Sequence, residues 1–132
     1  SLARRLVDHA LREGWDPEAG AFWGSGTLTE GPRRRPKVWW VQAECLYGLV
    51  RMAEESSDDY LNPARRLWHW IRTRQLDAEF GGWLEAVDND VKPVGDGFKG
   101  HRWKAMYHET RGLLYSAQAL RRMFSDGSGD PS

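Results

Sequence analysis

The 132-residue chain has few of the features that assign a protein to a class at once. Its single cysteine, Cys45, can form no disulfide within the chain, and without a cysteine cluster there is no structural zinc site. The 19 basic and 19 acidic residues balance, and no basic stripe follows a predicted face, so we expect no nucleic-acid partner. No apolar run approaches the roughly 18 residues of a membrane span, and no signal peptide is visible. We therefore expect a soluble, cytoplasmic protein without membrane contact, metal or cofactor.

The chain also lacks an initiating methionine and begins Ser1-Leu2-Ala3-Arg4-Arg5, already in helical rhythm. We interpret this as a processed, tagged or cut start. The length allows one domain with one core, which we place at residues 1–124. Residues 125–132 are Gly, Ser, Asp and Pro, and we expect them to form a disordered tail.

Tryptophan, in contrast, is abundant, with eight in the chain. A small core does not need so many large rings. Aromatic side chains with a polar handle suit interfaces and sugar-binding clefts, where ring faces meet C–H faces. A tryptophan-rich core between helices is the other interpretation, and we expect both uses here.

Apolar residues at helical spacing predict four helices. The first, second and fourth are at residues 2–13, 37–55 and about 103–124. The third begins either at the Asn62-Pro63 pair or nearer Asp58 and ends at about residue 76. The second is apolar around most of its circumference, so it should be buried on more than one side. The apolar residues that the first helix should bury are Leu2, Leu6, Ala10 and Leu11. Those that the fourth should bury are Met106, Leu113, Ala117, Leu120 and Phe124.

Glycine-rich segments separate these helices. We predict a short hairpin between residues 22–24 and 27–29, and a second between residues 83–88 and 91–94. A helix, a long aromatic–glycine loop and a buried helix thus occur twice, at a period of about 60 residues, which is typical of helix-pair arrays and toroids. The predicted fold is all-α, with two helix pairs and short β-hairpins in the loops.

Trp40, Glu44 and Tyr47 share one face of the second helix. An acid between two aromatics on a largely buried helix indicates either the polar wall of a pocket or an acid paired with a nearby arginine. The sequence leaves both interpretations open.

Tyr107, His108 and Arg111 lie close together near the start of the fourth helix. The positive end of a helix dipole favours a neutral imidazole, and a neutral imidazole can accept a proton at pH 7, as a general base must. A histidine that only caps or packs the helix start is the alternative. The surrounding aromatic, acid and arginine favour the chemical interpretation.

Three stretches carry a resemblance to a known family. They are residues 37–44 (Lys-Val-Trp-Trp-Val-Gln-Ala-Glu), 81–88 (Gly-Gly-Trp-Leu-Glu-Ala-Val-Asp) and 103–111 (Trp-Lys-Ala-Met-Tyr-His-Glu-Thr-Arg). In sequence, order and spacing they resemble the N-acylglucosamine 2-epimerase family, which includes cellobiose 2-epimerases and mannose and sulfoquinovose isomerases. The resemblance implies an (α/α)6 barrel, of which this chain would be the C-terminal third, a partial toroid.

The resemblance also implies roles for individual residues. The histidine at the position of His108 is a catalytic acid/base in the family. By the same resemblance, Trp39 or Trp40, together with Trp103, would line the sugar site, and Glu44 and Arg111 would support it. We add Tyr107 to the substrate-binding candidates because it lies beside His108. Removing and returning a proton at C2 of an aldose needs well-placed bases and stabilisation of an enediolate, and no metal is required.

The sequence departs from the family in one respect. The family's second histidine, in a His-x-x-Glu motif, and an arginine from the N-terminal part of the barrel have no match here; His9, His69 and His101 do not fit that motif. Two hypotheses stay open. The chain is part of an aldose 2-epimerase or aldose–ketose isomerase whose site is completed elsewhere, or it is a non-catalytic module that binds carbohydrate or another protein. Exposed apolar flanks predict association with further copies or with a missing N-terminal part.

Overall fold

The structure, a computed structural model, describes residues 1–27, 31–33, 36–56, 58–88, 90, 92–93 and 99–125. Its four α-helices are α1 (Leu2–Glu13), α2 (Trp39–Glu55), α3 (Leu61–Trp70) and α4 (Tyr107–Ser125). The predicted all-α chain with about four helices is therefore confirmed. The predicted tail lies outside the described residues apart from Ser125, which ends α4. None of the described helices is long and apolar enough to cross a membrane.

Three short antiparallel strand pairs lie in the loops. They are β1 (Trp15–Asp16) with β2 (Ala21–Phe22), β3 (Ser25–Thr27) with β4 (Gly31–Arg33), and β5 (Lys37–Val38) with β6 (Ala86–Val87). The third pair joins segments far apart in sequence. It thereby ties the loop before α4 to the start of α2.

The first predicted hairpin pairs differently in the structure, and the second is present in part, because the Asp88 N–H donates to the Lys92 carbonyl at 3.1 Å. Phe22 pairs with Trp15, because the Asp16 carboxylate accepts the backbone N–H groups of Glu18 and Ala19 and closes a turn earlier in the chain. Val87 pairs with Lys37 and meets Pro93 only in an isolated bridge. The partners that we predicted at residues 28–29, 91 and 94 lie outside the described residues.

α2 lies at the centre of the fold and packs against the other three helices. Its buried residues surround most of the helix, as predicted: Trp39, Gln42, Ala43, Leu46, Leu49, Val50, Met52 and Ala53. Side-chain contacts pair successive turns of α2 with successive turns of α4 in the same order, so the two helices run in the same direction. They approach closely at Gly112, where an added Cβ would lie 2.7 Å from the carbonyl oxygen of Ala43.

Two predicted helix starts are wrong. α4 begins at Tyr107 rather than Trp103, because His101 and Lys104 exchange backbone hydrogen bonds of 3.2 and 3.0 Å and hold a tight turn. α2 begins at Trp39 rather than Lys37, because Lys37 and Val38 are part of β5. In both cases pairing with another segment outweighs local helical propensity.

Two predicted apolar stripes are wrong as well. α4 buries a different face, made of Glu109, Gly112, Ser116 and Ala119. Small residues on that face let α4 approach α2, and the predicted core residues Met106, Ala117 and Phe124 are exposed instead. On α1, Leu2 and Leu6 are likewise exposed, although Val7, Ala10 and Leu11 pack against the core. Both misassigned stripes belong to helices at the ends of the arrangement.

Candidate active site

The first turns of α2 and α4 lie side by side and bring together residues from the predicted site. The Trp40 and His108 ring centroids are 6.1 Å apart. Glu44 lies one turn further into α2, and Arg111 lies one turn beyond His108 on α4. Two helices that run in parallel therefore present four side chains at the same end.

The Glu44 carboxylate joins the two helices. Its Oε1 lies 2.7 Å from Nδ1 of His108, and its Oε2 accepts a hydrogen bond from the Arg111 guanidinium. Glu44 therefore pairs with an arginine, which is one of the two interpretations that the sequence left open. The same carboxylate also contacts a histidine. All three side chains are only partly buried.

These contacts determine the charge on Glu44. Burial alone would raise the pKa of the Glu44 carboxyl, but hydrogen bonds from Arg111 and His108 outweigh burial and lower the pKa below its ordinary value. In turn, the hydrogen bond to Glu44 raises the pKa of Arg111. Glu44 is therefore a carboxylate at neutral pH, and it faces a permanent cation.

A carboxylate can only accept hydrogen bonds, so the contact with Glu44 requires a proton on Nδ1 of His108. We assign the tautomer on this argument. In the neutral imidazole, Nε2 then keeps its lone pair. The arrangement orients a histidine whose second nitrogen can accept a proton.

Exposed aromatic rings lie next to this cluster and on the turn that precedes α4. The Tyr107 ring meets His108 edge-on with centroids 5.0 Å apart, and the Arg111 guanidinium lies 5.4 Å from the Tyr107 ring. Trp103 stands on the turn before α4 with 76 % of its surface exposed. Trp40 and Tyr107 are also exposed, so three rings are open to a ligand.

Trp39 differs from the other predicted site residues. It is buried in the core, and the ammonium of Lys104 lies 5.4 Å from its ring. The structure thus groups Trp40, Glu44, Tyr107, His108 and Arg111, with Trp103 five residues before His108. Trp39 belongs to the core and not to this group.

Sequence reasoning missed a second histidine–acid pair in the loops. Nε2 of His101 lies 3.0 Å from Oε2 of Glu85, and Nδ1 of His101 accepts the backbone N–H of Trp103 at 3.2 Å. The Glu85 carbonyl accepts the N–H of Trp39 at the start of α2. Periodicity gives no signal for such a pair, because both residues lie in irregular segments.

Buried polar side chains fix the loops at this end. Gln42 pairs with both backbone groups of Phe22, at 2.9 and 2.8 Å, and Gln75 donates to the carbonyl of Leu84 at 3.1 Å. Buried amides with such partners hold irregular backbone in one conformation. In the part of the chain that the structure describes, no three His, Cys, Asp or Glu side chains are grouped as a metal site.

Comparison with known proteins shows which family the chain resembles. The family model described as N-acylglucosamine 2-epimerase (GlcNAc 2-epimerase) matches residues 1–111. A cellobiose 2-epimerase of Ruminococcus albus is 33 % identical over 79 residues, which cover 58 % of this chain and 20 % of that protein. A cellobiose 2-epimerase of Eubacterium cellulosolvens is 29 % identical over 115 residues, 86 % of this chain and 27 % of that protein.

Solved structures agree with these relatives. The cellobiose 2-epimerase of Spirochaeta thermophila superposes with a TM-score of 0.75 and 27 % identity, over 92 % of this chain and 29 % of that one. A D-mannose isomerase has a TM-score of 0.76 at 23 % identity, over 89 % and 30 %, and shows the shared fold. These neighbours are (α/α)6 toroids, so the predicted partial toroid is confirmed. The chain belongs to the N-acylglucosamine 2-epimerase family and spans less than a third of the length of these relatives.

Proposed function

We propose that this chain supplies one acid/base residue, His108, to a site that moves a proton at C2 of an aldose. The observation that carries the proposal is the contact of Glu44 with both His108 and Arg111. A carboxylate that fixes the tautomer of a histidine is a common means of positioning a general base. Family membership supplies the substrate class, because the matched relatives are named as sugar epimerases.

Each residue of the cluster has a distinct part in this reaction. Once the sugar ring has opened, Nε2 of His108 takes the proton from C2, and the electron pair moves into an enediolate. The Arg111 cation lies one helical turn from His108 and stabilises the negative charge that develops on oxygen. Return of the proton to the opposite face of C2 gives the epimer, and its delivery to C1 gives the ketose.

A second acid/base group is needed for transfer between the two faces of C2. The chain covers between 20 % and 30 % of its relatives, and the family's His-x-x-Glu motif has no match in it. We therefore propose that further segments or further copies of the chain complete the site. The cluster described here is one half of the proton relay.

Carbohydrate binding without turnover is the second candidate, and one observation favours it. Trp40, Trp103 and Tyr107 expose their rings at the same end of the molecule. Exposed aromatic faces stack on the C–H faces of sugars and need no acid/base group. A module of this kind would bind the same sugars but leave their C2 protons in place.

Proton exchange at C2 tests the catalytic proposal. The chain is incubated in D2O with glucose, mannose, N-acetylglucosamine, N-acetylmannosamine or cellobiose, and NMR follows deuterium at C2. We expect uptake with at least one sugar, its loss in His108→Ala, and its retention in His69→Ala, which removes an exposed histidine on α3. Uptake that survives His108→Ala would assign the base to another residue.

Saturation-transfer NMR with the same sugars separates the two candidates. If the chain transfers saturation to a sugar and Trp103→Ala abolishes the transfer, while no deuterium enters C2, the binding module is the better description. Uptake of deuterium together with binding supports the catalytic proposal. Binding and exchange are thus measured on the same samples with separate readouts.

A further inference from the structure

His101 links Glu85 to the turn that carries Trp103. Nε2 of His101 lies 3.0 Å from Oε2 of Glu85, and Nδ1 accepts the backbone N–H of Trp103 at 3.2 Å. A backbone N–H can only donate, so Nδ1 carries no proton, and the neutral imidazole then has its proton on Nε2, facing the carboxylate. A single tautomer therefore satisfies both contacts, and it is the opposite of the tautomer assigned to His108.

Glu85 is fixed to the start of α2. It immediately precedes β6, which pairs with β5 just ahead of that helix. Its carbonyl oxygen accepts the N–H of Trp39, the first residue of α2, at 2.9 Å. Trp40 is the next residue of the same helix. A chain of hydrogen bonds therefore runs from the first turn of α2 through Glu85 and His101 to the backbone of Trp103.

The position of Trp103 depends on the turn in which it lies. Its ring is 76 % exposed, so packing contributes little to holding it. Two backbone hydrogen bonds between His101 and Lys104 close the turn. The Lys104 end is anchored inside the protein, where its ammonium donates to Glu109 at 3.0 Å. The other end is partly exposed, and there the contact of His101 with Glu85 is the anchor.

We propose that His101, held by Glu85, is a positioning residue that fixes Trp103 in place relative to Trp40. Exposed rings from two segments can stack on one ligand at little cost only if their arrangement is set beforehand, because ordering a loop during binding reduces affinity. His101 acts through Trp103 and contacts no reacting atom. That the ligand is a sugar rests on the proposed function. The link from Glu85 to Trp103 does not, and it is tested without any sugar.

Long-range 1H–15N NMR of the histidine side chains tests the tautomer. At mildly alkaline pH, where an ordinary imidazole is neutral, we expect the proton of His101 on Nε2 and that of His108 on Nδ1. Glu85→Ala removes the carboxylate, so the His101 signals should move towards those of a ring that exchanges between tautomers, for which exposed His69 is the reference. A proton on Nδ1 of His101 would overturn the proposal, whereas the tautomer of His108 bears on the proposed function alone.

Hydrogen exchange of the Trp103 amide tests the anchor itself. His101→Ala removes the acceptor, and we expect this amide to exchange about tenfold faster while circular dichroism stays unchanged. His101→Asn should restore slow exchange, because an asparagine side chain accepts the N–H two residues ahead. His69→Ala, on α3, is the matched control and should have no effect. Exchange that is unchanged in His101→Ala, or that His101→Asn does not slow again, would overturn the positioning role.

Sugar affinity tests the consequence for binding. Saturation-transfer NMR with the sugars of the proton-exchange experiment gives a Kd, and we expect His101→Ala to raise it by about threefold to tenfold. His101→Asn should recover most of the affinity. Glu85→Ala should add nothing to His101→Ala, because Glu85 acts through His101. Losses that add up in the double variant would contradict this order.

The two proposals fail in different ways. A wild-type chain that binds none of these sugars contradicts the proposed function, and the exchange rate of the Trp103 amide still decides whether His101 holds the turn. A chain that binds sugar equally well with histidine or alanine at position 101 contradicts the positioning role and leaves the proposed function standing.

Discussion

Two ionic clusters share the first turn of α4 and differ in how far water reaches them. Lys104 and Glu109 form a pair at 3.0 Å in which each side chain is 1 % exposed. In the cluster of Glu44, His108 and Arg111, between 27 % and 34 % of each side chain is exposed. A solute can reach the second cluster but not the first. The buried pair can therefore act only on the conformation of the protein, whereas the partly exposed cluster can also contact a ligand.

The first helix pair repeats the buried arrangement. Nζ of Lys37 lies 2.9 Å from Oδ2 of Asp16 and 3.7 Å from the centroid of the Trp23 ring. Lys37 precedes α2 as Lys104 precedes α4, so α2 and α4 each begin shortly after a buried lysine. A buried charge costs several kcal/mol unless it is paired. Each pair therefore favours one conformation of the loop ahead of its helix.

Loss of one partner from the buried pair should have the largest effect on stability. Lys104→Met keeps the aliphatic stem but leaves the Glu109 carboxylate without its cation. Because an uncompensated buried charge is strongly unfavourable, we expect the free energy of unfolding to fall by about 3–5 kcal/mol. Urea denaturation followed by circular dichroism measures the change.

The double variant Lys104→Met/Glu109→Leu provides the control for this experiment. An apolar replacement of both partners is often close to neutral, so most of the lost stability should return. A single variant whose stability lies within about 1 kcal/mol of wild type would contradict the assignment of Lys104 as a buried anchor.

The helices could be predicted from spacing, but the ends of two of them could not. Spacing identifies residues 2–13 as a helix because a 3.6-residue period is a local property. Whether Lys37 begins a helix or lies in a strand depends on Val87, which is distant in the sequence. Likewise the turn at Lys104 depends on its burial beside Glu109. The local spacing of apolar residues carries no information about tertiary contacts of this kind.

Apolar spacing also does not reveal which face of a helix finds a partner. Leu6 and Ala117 belong to regular apolar stripes, yet both are exposed. The spacing of Tyr107, His108 and Arg111 placed them together correctly. The contact of His108 and Arg111 with Glu44 could not be predicted from spacing, because helical spacing does not connect residues of α2 and α4. The residues alone indicated only that Glu44 could pair with some nearby arginine.

A smaller effect is expected in the partly exposed cluster. Glu44→Gln keeps an acceptor oxygen but removes the charge that strengthens the contacts with His108 and Arg111. We expect the free energy of unfolding at neutral pH to fall by about 1–2 kcal/mol. The same substitution at Glu55, which forms an exposed pair with Arg51, is the matched control and should cost less than about 0.5 kcal/mol.

The pH dependence of this difference has a defined sign. Burial raises the pKa of Glu44, but the hydrogen bonds from Arg111 and His108 prevail, and the folded-state pKa lies below 4.5. A carboxyl whose pKa is lowered by folding stabilises the protein above its unfolded pKa, and this contribution is lost as pH falls through the folded pKa. The gap between wild type and Glu44→Gln should therefore narrow below pH 4.5. A gap that stays constant in acid would show that its origin is not the Glu44 charge.

The smallest effect on stability is expected at a pair in the loops, in which 29 % of the Lys99 side chain and 20 % of the Asp77 side chain are exposed. Oδ2 of Asp77 lies 2.5 Å from Nζ of Lys99, and Oδ1 accepts the backbone N–H groups of Glu79 and Phe80. The hydrogen bond from Lys99 is the main cause that lowers the pKa of Asp77 from 3.8 to about 2. Lys99→Met should raise this pKa part of the way back, because the two backbone donors remain. Titration of the side-chain carboxyl by 13C NMR measures the shift, with Lys92→Met as the control that leaves it unchanged.

The pair of Asp77 and Lys99 sharpens the comparison with Lys104 and Glu109, because its ionic contact is no longer than theirs although water reaches both of its side chains. The Asp77 carboxylate stabilises the fold at neutral pH, and this contribution is lost as pH falls from 3.8 towards about 2. Solvent and salt screen such a pair, so Lys99→Met should change the Asp77 pKa clearly while urea denaturation at neutral pH changes little. If Lys99→Met destabilised the chain as much as Lys104→Met, burial would not determine how much an ion pair contributes to stability. The short distance between the charged atoms would then be the better explanation.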